Sequence, residues 1–259
     1  LGRTCDEPGS FKTAHLLIRS AGHVSGVSRL HGRISRRLFA PLFPRVPICE
    51  VPIGHVTNGV DTRTWTGPAA ASLWREVAPD GPLAPWRADG AAASIDLAGV
   101  SDARLWAMRT EARRRLVETV RRHMVRWAGE RGAPPETVAR YARVLDHDRL
   151  ILGLARRFTE YKRTTLPIHD PERLRRLLLD AGRPVQLLVA GKAHPSDEVG
   201  RAMVREMVRF AADPAIGDRV VFLPDHDLSV ALHLAAGVDV WLHTPRRPNE
   251  ACATSGMKI

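Results

Sequence analysis

The sequence predicts an α/β fold built on a parallel sheet with helices on both faces. Two observations carry that prediction. From residue 150 onward, short uninterrupted apolar runs alternate with amphipathic segments of helical period, the pattern of strands buried on both faces and joined by crossover helices. The charged and small-residue stretches fall just after the apolar runs, where parallel sheets of this kind bind their ligands.

Residues 1–10 are polar and contain Gly, Pro and Asp, which reads as a loop. From Phe11 to about Phe39 apolar residues recur with helical spacing, broken at Gly22 and Gly26, and Val27, Leu30 and His31 share one face. His31 is read as a packed or surface histidine rather than a ligand. Four prolines in 41–57 predict an extended connection. The turn signal Thr57-Asn58-Gly59-Val60 then divides the chain into 1–57 and 58–259. The Ala-, Gly- and Pro-rich stretch 66–100 is assigned no element. Ser101-Asp102 caps a long helix in which Leu105, Trp106, Met108, Leu116, Val120, Met124 and Trp127 form an apolar stripe with arginines opposite. Pro134-Pro135-Glu136 opens a second helix through about Val144. The resulting hairpin, over about 101–145, is expected to be a supporting layer without chemistry.

Strands follow at 150–155, 185–190, 220–223 and 238–242, with helices at 173–181, 197–211 and 228–236 between them. Their C-terminal ends carry Arg156-Arg157-Phe158-Thr159-Glu160-Tyr161-Lys162-Arg163, then Gly191-Lys192-Ala193-His194, then Asp225-His226-Asp227, and last the stretch from Glu250 to Lys258. Lysines and arginines gathered at one sheet edge predict an anion site, for more than one phosphate. Neither G-x-G-x-x-G nor a Walker motif accompanies it. His226, between two acids, is read as an ordinary loop histidine rather than a proton carrier.

Composition singles out the lysines. Of 39 Lys+Arg only Lys12, Lys162, Lys192 and Lys258 are lysines, so arginine serves wherever charge alone is enough. A guanidinium stays protonated, whereas a lysine amine can lose its proton and attack a carbonyl. Lys258, after a strand and a small-residue turn, can neutralise a phosphate, form an imine with an aldehyde cofactor, or sit solvated in an ordinary loop.

The formal charge of +11 is general arginine richness, without the aromatic strands or zinc spacing of nucleic-acid binders, and no nucleic-acid partner is expected. No apolar run approaches the ~20 residues needed to span a bilayer, and no signal-peptide pattern opens the chain. Three dispersed cysteines, Cys5, Cys49 and Cys252, have no metal-ligand spacing and fit a reducing cytoplasm.

The ordered set Arg156 to Arg163, Gly191-Lys192-Ala193-His194-Pro195, Val220-Val221-Phe222-Leu223, Gly237 to Leu242, Pro245-Arg246-Arg247-Pro248 and Glu250 to Lys258 resembles the α-glucan (glycogen/maltodextrin) phosphorylases, bacterial branch. Gly26 to His31 and Gly54 to Val60 are similar as well. The resemblance implies a GT-B fold of two Rossmann-like lobes, pyridoxal 5′-phosphate as cofactor, and reversible phosphorolysis of α-1,4-glucans (glycogen, maltodextrin). Inorganic phosphate is then the co-substrate and α-glucose 1-phosphate the product, with retention. By position it implies that Lys258 forms the cofactor imine and that Arg157 and Lys162 grip the substrate phosphate. It further implies that Arg156, Thr254 and Ser255 lie near the cofactor phosphate, and that Glu250 and Tyr161 contact the glucosyl hydroxyls. The cofactor then works through its 5′-phosphate, exchanging a proton with the substrate phosphate. No metal is implied, and self-association into a homo-oligomer stays open.

The chain departs from the family pattern in two places. The family reads Glu-Ala-Ser-Gly-Thr where this chain has Glu250-Ala251-Cys252-Ala253-Thr254, so Ala253 puts a Cβ at a glycine position and is expected to restrict φ or crowd the glucosyl site. Gly22 and Ser25 stand where the family carries a basic residue and an asparagine, with His23 beside Gly22. The termini, Leu1 and Ile259, read as cut ends. A fragment lacking most of the N-terminal lobe is therefore expected, inactive by itself. The other readings weighed are a nucleotide-sugar GT-B glycosyltransferase and a non-catalytic glucan- or phosphate-binding homologue.

Overall fold

The structure, a computed structural model, describes residues 11–78 and 97–259. Most of the stretch left unassigned from sequence, and the polar segment at the start, lie outside these residues. Contacts divide the chain into two units, Leu1–Gly59 with Arg246–Thr254, and Val60–Pro245 with Ser255–Ile259.

In the first unit the helical spacing of 11–39 resolves into two helices with a short strand between them: α1 (Thr13–Ser20), β1 (Ser25–Gly26) and α2 (Arg29–Phe39). The break is chemical. Ser28 takes extended dihedrals as N-cap of α2 and accepts the His31 N–H, satisfying a donor that the first helical turn leaves orphaned. His31 Nδ1 in turn accepts the Val27 N–H at 3.0 Å, so this histidine closes the turn rather than waiting for a ligand. β1 pairs in parallel with β2 (Gly54–His55). The proline-rich connection contains two 3-10 turns, Ala40–Leu42 and Ile48–Glu50, and Arg36 ties it to α2 by donating to the Ile53 carbonyl at 2.8 Å. Ser28 Oγ also donates to the Ala251 carbonyl.

The second unit is built on β3 (Leu150–Ala155), β4 (Val185–Ala190), β5 (Val220–Leu223) and β6 (Val240–Trp241), all parallel, in the order β5-β4-β3-β6. The first three match the predicted strands residue for residue. β6 is shorter than the predicted 238–242, because Val238 N–H closes the preceding helix on Leu234 O and Asp239 is recruited through its side chain. Helices α7 (Pro171–Leu179), α8 (Glu198–Ala211) and α9 (Leu228–Gly237) connect the strands. Each opens on an aspartate N-cap: Asp170, Asp197 and Asp227 accept N–H groups of Arg173, Gly200 and Val230 at 2.8–2.9 Å.

The core follows the period of two along the strands. Leu188 and Ala190 pack with Ile151, Val221, Leu223 and the helix residues Leu116, Val120 and Met124 on one face. Leu187 and Val189 pack with Leu154, Phe158, Leu178 and Met207 on the other. Both faces are therefore dry, as the unbroken apolar runs require.

Before the sheet come α3 (Thr62–Trp65) and α4 (Pro68–Val77), both missed from sequence, then α5 (Asp102–Gly129) and α6 (Pro135–Tyr141). The α5–α6 hairpin forms as expected, although α6 ends at Tyr141. One feature of α5 is corrected: its arginines do not all face away from the apolar stripe. Arg113 is 1% exposed, while Trp106, assigned to the stripe, is 57% exposed. Arg113 can be buried because Asp239 Oδ1 accepts from it at 2.9 Å, with further bonds to the His147 carbonyl and Thr110; a buried charge is tolerated only when paired and hydrogen-bonded. Asp239 Oδ1 also meets Arg109 at 3.3 Å, and its Oδ2 accepts the Ile151 N–H at 2.9 Å. One carboxylate thus fastens α5 to β3 and β6. Among the described residues no helix is long and apolar enough to cross a membrane.

Candidate functional site

The loops beyond the strand ends of the second unit are held rigidly. The β3–β4 ladder continues past both strands: Arg156 N–H donates to Ala190 O at 3.0 Å and Phe158 N–H to Lys192 O at 2.9 Å. Phe158 is fully buried and Arg156 is 7% exposed, so Arg157 between them projects outward and is exposed. Gly191 faces this turn with φ +151°, and a Cβ there would lie 1.9 Å from the Arg156 carbonyl oxygen. Only glycine lets the two loops approach this closely.

The result is an open cavity of about 570 Å³ lined by Arg156, Arg157, Lys192, His194 and His226, among others. Its chemistry is cationic, with the Asp225 carboxylate beside it. Lys192 Nζ pairs with Asp225 at 2.8 Å, and Arg131 meets the same carboxylate at 3.2 Å. The hydrogen bond from Lys192 holds the Asp225 carboxyl below its usual range. Arg156 Nη1 lies 2.9 Å from Nδ1 of His243, just beyond β6, which braces the guanidinium against the loop after the neighbouring strand.

The rest of the Arg156–Arg163 loop is braced on 244–245. Arg163, at φ +49°, donates to the Thr244 carbonyl at 2.7 Å, and Thr244 Oγ1 donates to the Lys162 carbonyl at 3.2 Å. Lys162 Nζ lies 5.1 Å from the centre of the Tyr161 ring. Tyr161 and Lys162, both half-buried, lie on the 3-10 turn Glu160–Lys162 and do not line the cavity that Arg156 and Arg157 share.

Lys258 lines a different cavity. It follows a single 3-10 turn, Thr254–Met257, where the sequence suggested the start of a longer helix. Its Nζ lies 3.7 Å from the centre of the Trp65 ring. Trp65, Trp74, Met108, Arg109 and Ala235 wall this cavity, of about 400 Å³, within the usual ~300–1,000 Å³ of small-molecule sites. The amine meets the electron-rich face of the indole, a cation–π contact that fixes where the end of the side chain sits. The two cavities have no lining residue in common. Ser255 falls in the second unit with Lys258, whereas Glu250, Ala253 and Thr254 fall in the first. Ala253 has φ +62°, the left-handed conformation that the glycine substitution puts at issue.

Sequence reasoning missed Trp65, Trp74 and Arg109. Trp65 follows Asn58-Gly59 by a few residues, and nothing local signals a partner almost two hundred positions away. The sequence reads His226 as an ordinary loop histidine, but the structure places it in the wall of the cationic cavity.

Comparison with known proteins agrees with this architecture. Residues 4–259 match the profile of a family described as carbohydrate phosphorylase. The chain is 45% identical over 256 residues to a glycogen phosphorylase of Mycobacterium tuberculosis (strain ATCC 25618 / H37Rv), covering 98% of this chain and 29% of that protein. It is 36% identical over 260 residues to a glycogen phosphorylase of Aquifex aeolicus (strain VF5), covering all of this chain and 37% of the relative. It is 34% identical over 266 residues to a maltodextrin phosphorylase of Thermococcus litoralis, covering all of this chain and 30% of the relative. The chain thus spans about a third of the length of the curated relatives it matches.

Proposed function

This chain belongs to the carbohydrate phosphorylase family, and on that premise we propose that the protein of which it forms part cleaves α-1,4-glucans with inorganic phosphate. The products are α-glucose 1-phosphate and a glucan one residue shorter. The C1–O4 bond breaks, a phosphate oxygen bonds to C1 on the same face, and the leaving O4 receives a proton.

The observation that carries the reading is the Lys258 amine stacked 3.7 Å over Trp65 in a slot walled by a second tryptophan and a methionine. These residues fit pyridoxal 5′-phosphate: a flat aromatic slot for the ring and an amine to attach it covalently. When bound, the cofactor supplies a 5′-phosphate that exchanges a proton with the substrate phosphate. The resemblance assigns Arg156, Thr254 and Ser255 to holding the 5′-phosphate, although Arg156 lines the cationic cavity and not the slot of Lys258. Arg157 and Lys162 are assigned to gripping the substrate phosphate, for which clustered cations are needed if two phosphates are to lie close together. A phosphate oxygen so held also stabilises the oxocarbenium-like centre at C1. Glu250 and Tyr161 hydrogen-bond the glucosyl hydroxyls and fix the ring over the phosphate.

Two measurements on the full-length protein test this. Borohydride reduction followed by peptide mapping should place a reduced pyridoxyl group on Lys258. Incubation with maltoheptaose and phosphate should release glucose 1-phosphate. An unmodified Lys258 sinks the cofactor assignment, and a modified Lys258 without phosphorolysis turns the reading toward a binding homologue.

A further inference from the structure

We propose that His226 is the proton-binding member of the cationic cavity. An oxyanion dianion seated among Arg156, Arg157 and Lys192 is held together with one proton on His226 Nε2, so it binds more tightly as the pH falls from 8 to 6. The inference rests on the proposed function only in taking an oxyanion as the ligand of this cavity.

The geometry limits which nitrogen can act. His226 Nδ1 is sealed from solvent and has no hydrogen-bond partner. Nε2 is not among the sealed nitrogens and makes no hydrogen bond among the described residues, which leaves it as the nitrogen that faces the cavity the ring lines. Around the ring stand Arg156 and Arg157 from the end of β3, and Lys192 and His194 from the end of β4. His123 comes from α5 and Arg131 from the turn just after it, and Asp225 and Asp227 from its own loop. Burial, then Lys192 and His123, hold the imidazole below its ordinary range, and Asp227 and Asp225 oppose this without reversing it. The unliganded ring is therefore neutral at pH 7. A dianion beside it reverses the sign of the local field, favouring the imidazolium and giving the anion a further N–H donor. The other histidine of the wall is already engaged, since His194 Nδ1 accepts from the Ser196 N–H and meets its hydroxyl at 2.7 Å.

The test uses sulfate, which stays a dianion across this pH range, unlike phosphate. Calorimetric titration of the full-length protein with sodium sulfate, in two buffers of different ionisation enthalpy, reads the protons taken up per anion bound. Wild type should take up protons near pH 7 and gain about tenfold in affinity between pH 8 and pH 6. His226→Gln should still bind sulfate but with no uptake and a flat pH profile, whereas His194→Gln, in the same wall, should keep the proton uptake and the pH dependence whatever its affinity. Sulfate binding without proton uptake in the wild type overturns the proposal and leaves the phosphate grip intact. Uptake that survives in His226→Gln, or disappears in His194→Gln, overturns it as well. No sulfate binding at either pH removes the anion cavity itself.

Discussion

Gly191 shows how much one backbone position can decide. Its missing side chain lets the β4 loop lie against the Arg156 carbonyl, where a Cβ would approach to 1.9 Å. Gly191→Ala must therefore push the two loops apart and spread Arg157 and Lys192. The expected outcome is a loss of sulfate affinity of about tenfold or more, read by the same titration, with far-ultraviolet circular dichroism unchanged. Ala253 is the opposite case, a side chain where the conformation suits glycine. At φ +62° an alanine carries roughly 1 kcal/mol of strain, and glycine gives back part of that relief through its looser unfolded chain. Ala253→Gly should thus change stability by less than about 1 kcal/mol, while the β-branched Ala253→Val should destabilise by about 1 kcal/mol or more. Equal tolerance of Gly and Val in denaturant titrations would contradict a left-handed residue 253. His226 adds a pH signature. Its pKa is lower folded than unfolded, so the unfolded chain binds the proton better. That contribution to stability is complete above about pH 6.5 and is lost as pH falls through the folded value. His226→Gln should flatten the decline in stability between pH 7 and pH 5.

Elements tell a different story about what the sequence shows. β3, β4 and β5 were legible to the residue because a strand buried on both faces must be apolar without interruption, and few other structures share that pattern. The ends of β6 were not, because Val238 and Asp239 look like strand residues and serve instead as a helix stop and a tether. α4 was missed for a different reason: Ala71 and Leu73 do form a buried face, but they lie in a stretch whose alanines, glycines and prolines read as irregular chain. The burial of Arg113 could not be read from its own helix, since the carboxylate that permits it is Asp239, 126 positions away. That pair makes a sharp prediction. Asp239→Ala strands a guanidinium that is 1% exposed and should cost about 3–5 kcal/mol. Arg113→Met combined with Asp239→Asn should recover much of this, because an apolar replacement removes the unpaired charge. A double variant no more stable than Asp239→Ala would show that the tether to Ile151, and not the charge pair, carries the energy.

Across the whole molecule, the candidate site residues separate into those placed by the sheet and those that reach their partners over long sequence distances. Arg156, Arg157 and Lys192 were legible because topology alone puts the ends of β3 and β4 together. Trp65 and Lys258 were not, because their 3.7 Å contact joins the start of the second unit to its last residues. The same division governs stability. β3 is paired by β4 along six residues and by β6 along two, and β4 by both β3 and β5. Their amides should open only when the whole sheet does, whereas the two-residue β6 should open earlier. Hydrogen exchange read by mass spectrometry on the full-length protein should therefore find the slowest amides in 151–155 and 186–190. Saturating sulfate binds only the closed form of the strand-end loops and stabilises that form by RT ln(1 + [L]/Kd). Protection should then rise in 156–163 and 191–195 while the strands, already at the global limit, gain little beyond the shift in overall stability. A uniform rise along the chain would mean that the anion binds the cationic surface at large, and the +11 charge, not the cavity, would be the receptor.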